Sequence, residues 1–271
     1  NTVDRNLVMN GNGAGIRIAG GSGNVVGGTA AGSGNTVMVN AGSGIQVTGG
    51  TMGRTAFENT ARDHVVQGNV IRDNLTGVEV DGNVNGTTIG EQVTLQGVSG
   101  KGNVIEQNGG HGVVIKGGAQ RVGVQGNTIR DNDGEAMIRL TGVNRSAATA
   151  FALTAAVVQQ RSGSGPQLVV TGSISNPVYA LQQYSVELYA NDPSEGVYKT
   201  LDDYELGRYL GRATVTADRN GVATFEVKIT APVNIGEVIT ATATSLRFEP
   251  GATAMVSNAV TADIPGFATP R

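Results

Sequence analysis

Apolar residues fall on alternate positions in short runs through the first half of the chain. One set reads Ile16-Arg17-Ile18, Ile45-Gln46-Val47, Val78-Glu79-Val80, Val113-Val114-Ile115 and Ile138-Arg139-Leu140, each followed two positions on by glycine. A second set follows an asparagine: Asn35-Thr36-Val37, Asn69-Val70-Ile71, Asn103-Val104-Ile105 and Asn127-Thr128-Ile129. A third is looser: Val25-Val26, Val65-Val66, Thr88-Ile89 and Val122-Gly123-Val124. Alternation at period two is the mark of strands with one face buried. The β-branched residues at the apolar positions suit that geometry. Glycine and asparagine between the runs supply corners.

The order of these runs is itself periodic. Asn-x-Val/Ile recurs at Asn1, Asn35, Asn69 and Asn103 at a step of 34 residues, then at Asn127 after 24. A second asparagine follows each by five: Asn6, Asn40, Asn74, Asn108 and Asn132. A fixed period of this length indicates a stacked repeat architecture. Hairpins do not explain it, because two-residue hairpin turns are missing from the corners. Winding the chain so that like strands stack, about 4.8 Å apart, explains every repeat. About five coils of three strands are expected, in a rod roughly 20–25 Å long.

Stacking at constant phase makes further expectations. Asn40, Asn74, Asn108 and Asn132 should line up as an amide ladder at one bend; the alternative is that each merely accommodates left-handed backbone there. On the outer wall one phase reads Asp4, Met38, Arg72, Glu106, Arg130, so Glu106 should lie between Arg72 and Arg130. Asp81 should face Lys116. Exposed pairs of this kind contribute little individually. Insertions at Thr51 to Asp63 and Glu91 to Gly102 read as loops on the flank of the rod.

Composition changes sharply near residue 150. Of 42 glycines, 32 lie at or before Gly142, whereas all seven prolines lie at or after Pro166. Two domains are expected, 1–148 and 149–271. In the second, strand-like runs appear at Leu168 to Gly172, Tyr184 to Tyr189, Tyr209 to Ala217, Ala223 to Ile229, Val238 to Thr244 and Ala254 to Thr261. Their spacing fits an antiparallel sandwich of about seven strands. Asn220-Gly221 between two alternating runs signals a hairpin.

The first half, on Gly21 to Gly28, Gly68-Asn69-Val70-Ile71-Arg72-Asp73-Asn74 and Gly126-Asn127-Thr128-Ile129-Arg130-Asp131-Asn132, resembles the right-handed parallel β-helix repeat proteins. That family includes pectin-degrading enzymes and many bacterial surface proteins. The second half, on Gly211 to Asp218, the Asn220-Gly221 turn and Val238 to Thr244, resembles the Ig-like modules that follow such repeats in large exported bacterial proteins. The resemblance implies an all-β fold and an extracellular or cell-surface setting; it leaves activity open, since the fold hosts both enzymes and inert stalks.

Charge and chemistry narrow the function classes. A net charge of −3 with no basic cluster gives no footprint for nucleic acid. No apolar run reaches the length needed to span a bilayer. Cysteine is absent, which removes disulfides, zinc-thiolate sites and cysteine nucleophiles. The chain opens at Asn1 inside a repeat, without initiator Met or leader, and so reads as a piece of a larger protein with an uncapped end.

Catalytic candidates are few. Asp131 and Asp133 are close enough in sequence for two-carboxylate glycoside chemistry, with Arg130 as the nearby base for a lyase, but they flank a predicted corner. The alternation Arg72, Glu106, Arg130 reads better as charge pairing. Gly110-His111-Gly112 is superficially like hydrolase motifs, without the paired aspartates those need; His64 has only Asp63 beside it. Asp202, Asp203 and Glu205 form the acidic stretch where Ca²⁺ could bind, a solvated turn being the competing reading. Sugar platforms are lacking in the first half, and Tyr184, Tyr189, Tyr198, Tyr204 and Tyr209 read mainly as core.

The expectation is therefore a non-catalytic stalk, adhesin or fibre element with no cofactor. Its partners would be copies of itself, the rest of a larger surface protein or surface glycans. A polysaccharide lyase, hydrolase or epimerase is the rival reading, and a shaft polymerising end to end is a third.

Overall fold

The computed structural model describes residues 1–49, 61–134, 136–141, 144, 150–161, 164–193, 205–247, 251–254 and 256–264. It is all-β, and the described residues of the first half form three parallel sheets. One contains Leu7–Met9, Thr36–Met38, Val70–Arg72, Val104–Glu106 and Thr128–Arg130. The next contains Ile16–Ala19, Ser43–Thr48, Thr76–Asp81, Val113–Ile115 and Ile138–Leu140. The third contains Thr2–Val3, Val25–Gly27, Ala61–Gln67, Val84–Val93 and Gln120–Gln125. The chain visits them in that order, so each circuit makes one level of a stack.

The alternating pattern explains which residues face inward. Val37, Ile71, Ile105 and Ile129 stack in register and are fully buried, as are Ile45, Val78, Val113 and Ile138 on the second wall. Val26, Val66, Ile89 and Val124 line the third. Burying each such side chain contributes about 1.5–3 kcal/mol. A single level offers only a handful of them, as Ile71, Val78, Val80, Val84 and Ile89 in one level, so stability comes from stacking.

Three sequence expectations need correction here. Asn1 does not align with Asn35: Leu7 pairs with Thr36 and Thr2 with Val25, so Asn6 is the residue in phase with Asn35, and the first level is 29 residues long. Met9, not Asp4, therefore stands beside Met38. The reason is that Asn1-Thr2-Val3 is a strand of the third wall, where Asn24-Val25-Val26 offers the same Asn-apolar signature. Second, Ala61, Arg62 and Asp63 belong to a strand rather than to the preceding insertion, of which 51–60 lie outside the described residues. Third, the insertion at Glu91 to Gly102 is partly an antiparallel hairpin, with Glu91 opposite Gly100 and Val93 opposite Val98.

The second half has its own apolar core, with Leu168, Val170, Val186, Leu188, Ala241 and Phe225 among its members. Its strands run in the order Arg208–Thr216, Gln183–Asn191, Val238–Ser245, Val260–Asp263, Ala150–Arg161, Ser164–Ser175 and Val222–Ile229, with Ala252–Thr253 beside Val238–Ser245. Pairing is antiparallel except where Val260–Asp263 meets Ala150–Arg161.

Ala150–Arg161 was not expected as a strand, because its alanines blur the alternation. Ala254 to Thr261 is not one run: pairing stops at Thr253 and resumes at Val260. Asn220-Gly221 is a tight turn, with Asp218 N–H donating to Val222 O at 2.8 Å and Gly221 at φ +75°. It is not a hairpin. The strand before it pairs with Gln183–Asn191 and the strand after it with Ser164–Ser175, so the turn carries the chain between the two parts of the sheet.

Candidate functional site

A stack of parallel strands leaves unpaired N–H and C=O groups on its last level, which must be covered or solvated. Here Asn144 and residues of the second half cover them. Leu206 pairs antiparallel with Ile129 through bonds of 2.8 and 2.9 Å. Thr253 Oγ1 accepts from Val124 N–H at 2.7 Å. The Asn144 amide imitates a missing strand: its Oδ1 accepts from Val122 N–H and its Nδ2 donates to Val122 O, both at 3.0 Å. Two carboxylates stand in for absent carbonyls, Glu205 accepting from Asp131 N–H at 2.7 Å and Glu187 from Gly126 N–H at 2.9 Å. Tyr189 and Leu206 are counted in the apolar core of the stack itself.

Glu187 anchors the joint. It is fully buried, and Tyr189 Oη donates to it at 2.9 Å. Arg212 lies 3.5 Å from its other oxygen and also pairs with Glu91 of the stack. Arg212 Nε donates to Tyr209 Oη at 2.8 Å, and its guanidinium sits 5.5 Å from the centre of that ring. Burial pushes the Glu187 carboxyl above the ordinary carboxylate range, against the pull of Arg212, the Gly126 N–H and the Tyr189 hydroxyl. Burial also works against charge on Arg212, but Glu187 and Glu91 outweigh it and hold the guanidinium protonated more firmly than usual. A charge buried this deeply is tolerable only while paired.

Along the stack, the second asparagines form a continuous row. Asn40 N–H and Nδ2 donate to Asn74 Oδ1 at 3.1 and 2.8 Å, Asn74 to Asn108 at 3.0 and 3.1 Å, and Asn108 to Asn132 at 3.1 and 2.8 Å. Gly11 replaces asparagine at the first level, its N–H donating to Asn40 Oδ1. Left-handed backbone falls on the residue before each asparagine: Val39, Asp73, Gln107 and Asp131, with φ of 54–56°. A parallel row not anticipated from the sequence joins Asn6, Asn35, Asn69, Asn103 and Asn127 by the same two bonds per step. The equal spacing of the first asparagines was the available signal. Close packing behind the rows requires glycine: a Cβ on Gly44 would lie 2.5 Å from Ile71 Cγ2 and 2.8 Å from Asn74 Nδ2.

A third corner has a different chemistry. Asn24 N–H and Nδ2 both face His64 Nδ1, at 3.2 and 3.3 Å. Two donors at Nδ1 place the imidazole hydrogen on Nε2, which is buried without a partner. Burial holds His64 below its ordinary pKa, opposed by Asp63.

The outer wall carries the remaining sequence candidates. Glu106 pairs with Arg130 at 3.0 Å, whereas Arg72 turns to Asp73 at 2.8 Å and to Met38 Sδ at 3.7 Å. The expected sharing of Glu106 between two arginines is thus replaced by a single pair. Arg72 has a carboxylate next to it in sequence. Lys116 lies 3.7 Å from Asp81 and nearer, 3.2 Å, to Glu79.

Asp131 sits on a corner with its N–H on Glu205, and Asp133 N–H bonds Asn108 O. Neither interaction points two carboxylates at a common space. His111 contacts Ala136 O and Arg139. Asp202 and Asp203 lie outside the described residues; Glu205 is buried and serves the last level. Among the described residues, no group of three or more His, Asp or Glu could hold a metal ion. Tyr184 and Tyr189 are core, Tyr209 is part of the joint, and Tyr198 and Tyr204 lie outside the described residues. Arg130, Glu205, Asp192, Arg208 and Glu237 line a cleft of about 300 Å³ where the two halves meet.

A comparison with models of protein families finds no match to this chain, and a comparison with curated proteins finds none.

Proposed function

We propose that this chain is a passive structural module of a bacterial surface or secreted protein. In this reading a right-handed parallel β-helix of five coils forms a stalk. An Ig-like sandwich closes one end and fixes the next part of the protein at a set angle. The observation that carries it is the joint. Leu206, Thr253, Glu205 and Glu187 continue the bonding pattern of the last level, and Asn144 bridges it to Thr253 O, so the two halves share hydrogen bonds instead of meeting through a linker. Inter-domain surfaces that merely touch permit relative motion; one built from shared ladder bonds and a buried ion pair resists it.

Small-angle scattering of the whole chain tests the reading. A single rigid conformer should fit the curve, and Arg212→Met should broaden the distribution of distances between the halves. A wild-type curve that needs an ensemble of orientations would remove the basis for a stalk.

The cleft at Arg130 and Glu205 favours a second reading, an enzyme acting on acidic polysaccharide. Assays on pectate and alginate with and without Ca²⁺ separate the two. Turnover lost in Arg130→Gln or Asp131→Asn would favour the enzyme.

A further inference from the structure

Asparagine followed by glycine is a self-modifying pair. The glycine nitrogen reaches the asparagine Cγ because no Cβ on the second residue blocks the approach. Beyond the first level the sequence holds three such pairs: Asn85-Gly86, Asn108-Gly109 and Asn220-Gly221. The fold treats them differently. Asn108 is buried, its Nδ2 faces Asn132 Oδ1, Glu106 O and Ile71 O, and Gly109 N–H donates to Asn74 O at 2.8 Å. Asn85 sits in mid-sheet, opposite Arg62 on one side and Gln120 on the other, and its Oδ1 is buried. At both places ring closure and the entry of water require the stack itself to come apart.

Asn220-Gly221 lies instead in a turn where Asp218, Arg219 and Asn220 are all exposed. Asn220 Nδ2 faces Asp218 Oδ2 at 3.3 Å, and Gly221 N–H is held by Asp218 O at 3.1 Å. The turn rests on Asp218, whose Oδ1 accepts from Asn220 N–H at 2.8 Å and from Val222 N–H at 2.9 Å. Exposed segments of this kind open without the core following. The glycine is imposed by the fold. It has φ +75°, and a Cβ there would collide with Asn176 O, so no larger residue could stand at 221 and shield Asn220. The turn also ties down its surroundings: Asn176 N–H donates to Gly221 O at 2.8 Å and Leu181 N–H to Asp218 O at 2.9 Å.

We propose that Asn220 is a site of spontaneous modification, where water replaces the side-chain amide by a carboxylate and the turn from Asp218 to Val222 is loosened for good. Gly221 N attacks Asn220 Cγ, the Cγ–Nδ2 bond breaks, and ammonia leaves with the proton from Gly221 N. Water then opens the five-membered imide. Cleavage at the side-chain carbonyl gives aspartate; cleavage at the main-chain carbonyl gives isoaspartate, with the backbone running through Cβ. One amide and one water become one carboxylate and one ammonium, and no oxidant or reductant takes part. Aspartate sets a second negative charge beside Asp218, and isoaspartate lengthens the turn by one backbone atom. Either product works against the bonds to Asn176 and Leu181. The inference stands apart from the passive-module reading, since it concerns a turn away from the joint.

The whole chain is incubated at mildly alkaline pH, with and without urea, and mapped by peptide mass spectrometry with fragmentation that separates aspartate from isoaspartate. In the folded chain Asn220 should convert on the order of a hundredfold faster than Asn85 and Asn108, the gap between an exposed turn and interior ladder bonds. In urea the three should react alike. Asp218→Ala frees the turn and should speed conversion at Asn220 by on the order of tenfold, the effect of one net hydrogen bond. Hydrogen exchange at the Asn176 and Leu181 amides should quicken as the converted fraction grows, and should hold steady over the same incubation in Asn220→Gln. The proposal is overturned if folded Asn220 converts no faster than Asn85 or Asn108. It is also overturned if Asn220 reacts in urea but stays intact in the folded chain, or if conversion leaves the Asn176 and Leu181 amides as protected as before.

Discussion

Asn108 lies in the interior of the second asparagine row, and its removal tests whether the row holds the stack together. Its Oδ1 is the acceptor for Asn74 N–H at 3.0 Å; its Nδ2 donates to Asn132 Oδ1, Glu106 O and Ile71 O at 2.8, 3.1 and 3.3 Å. In Asn108→Ala the Asn74 N–H is left buried without an acceptor, a cost of about 1–3 kcal/mol. The two Nδ2 hydrogens, shared among those three acceptors, add about 1 kcal/mol each where no water can replace the lost bonds. The sum is about 3–5 kcal/mol, a large part of the stability of an ordinary domain.

Asn40 ends the same row, and its Oδ1 serves only Gly11 N–H, which is partly exposed. Its Nδ2 donates to Asn74 Oδ1 and Met38 O at 2.8 and 3.0 Å, so Asn40→Ala should cost about 2–3 kcal/mol, less than Asn108→Ala because no buried N–H loses its acceptor. The chain has no tryptophan, so urea unfolding followed by far-UV circular dichroism is the suitable assay, with unchanged slope as the check that stability alone has moved. In the pair Asn74→Ala/Asn108→Ala the double variant should lose less than the sum, because the same bonds are removed twice. Equal small losses at Asn40 and Asn108, or strict additivity at Asn74 and Asn108, would refute the reasoning: the asparagines would then be corner residues and not a coupled row.

At the joint, Arg212→Met leaves Glu187 buried beside one remaining hydroxyl and one N–H, and should cost about 3–5 kcal/mol. Glu187→Gln in the same background should recover part of that loss, read by thermal melts. His64 gives an acid dependence. Its folded pKa is held below its unfolded value of about 6.5, so the unfolded chain takes up the proton first and acid favours unfolding. Its contribution is full above about pH 6.5 and falls as pH drops through the lowered folded value; urea midpoints between pH 8 and 5 should show the decline, and His64→Gln should flatten it. Val39 has φ +55° and is a β-branched residue in the left-handed region where the next levels place Asp73, Gln107 and Asp131. Val39→Asn should raise stability by on the order of 1 kcal/mol, measured by the same urea titration. Arg130→Gln removes partly exposed pairs with Glu106 and Asp131 and should change stability by about 1 kcal/mol or less.

The stack was legible because its signals are local and repeated. Ile71, Ile105 and Ile129 alternate with outward residues, and Asn74, Asn108 and Asn132 recur at the same offset; a shift by one residue would turn every aliphatic outward, so the pattern itself sets strand type and register. The same locality misled at the first level, where Asn1-Thr2-Val3 carries a motif shared by two walls, and only pairing with Val25 or with Val37 distinguishes them. The second half was legible as strands but not as a sheet. Asp218 to Val222 makes the turn that its sequence specifies, yet which strands lie beside it depends on residues far away, Ser164–Ser175 on one side and Gln183–Asn191 on the other.

The joint was least visible. Glu187, Glu205 and Asn144 look like ordinary polar residues in a strand or loop, and their role arises because the last level leaves backbone groups that only distant side chains can reach. Sequence alone determined the repeating interior and the second asparagine row, since each level needs only its neighbour. The tertiary structure decided where the stack stops, because an end is defined by what covers it.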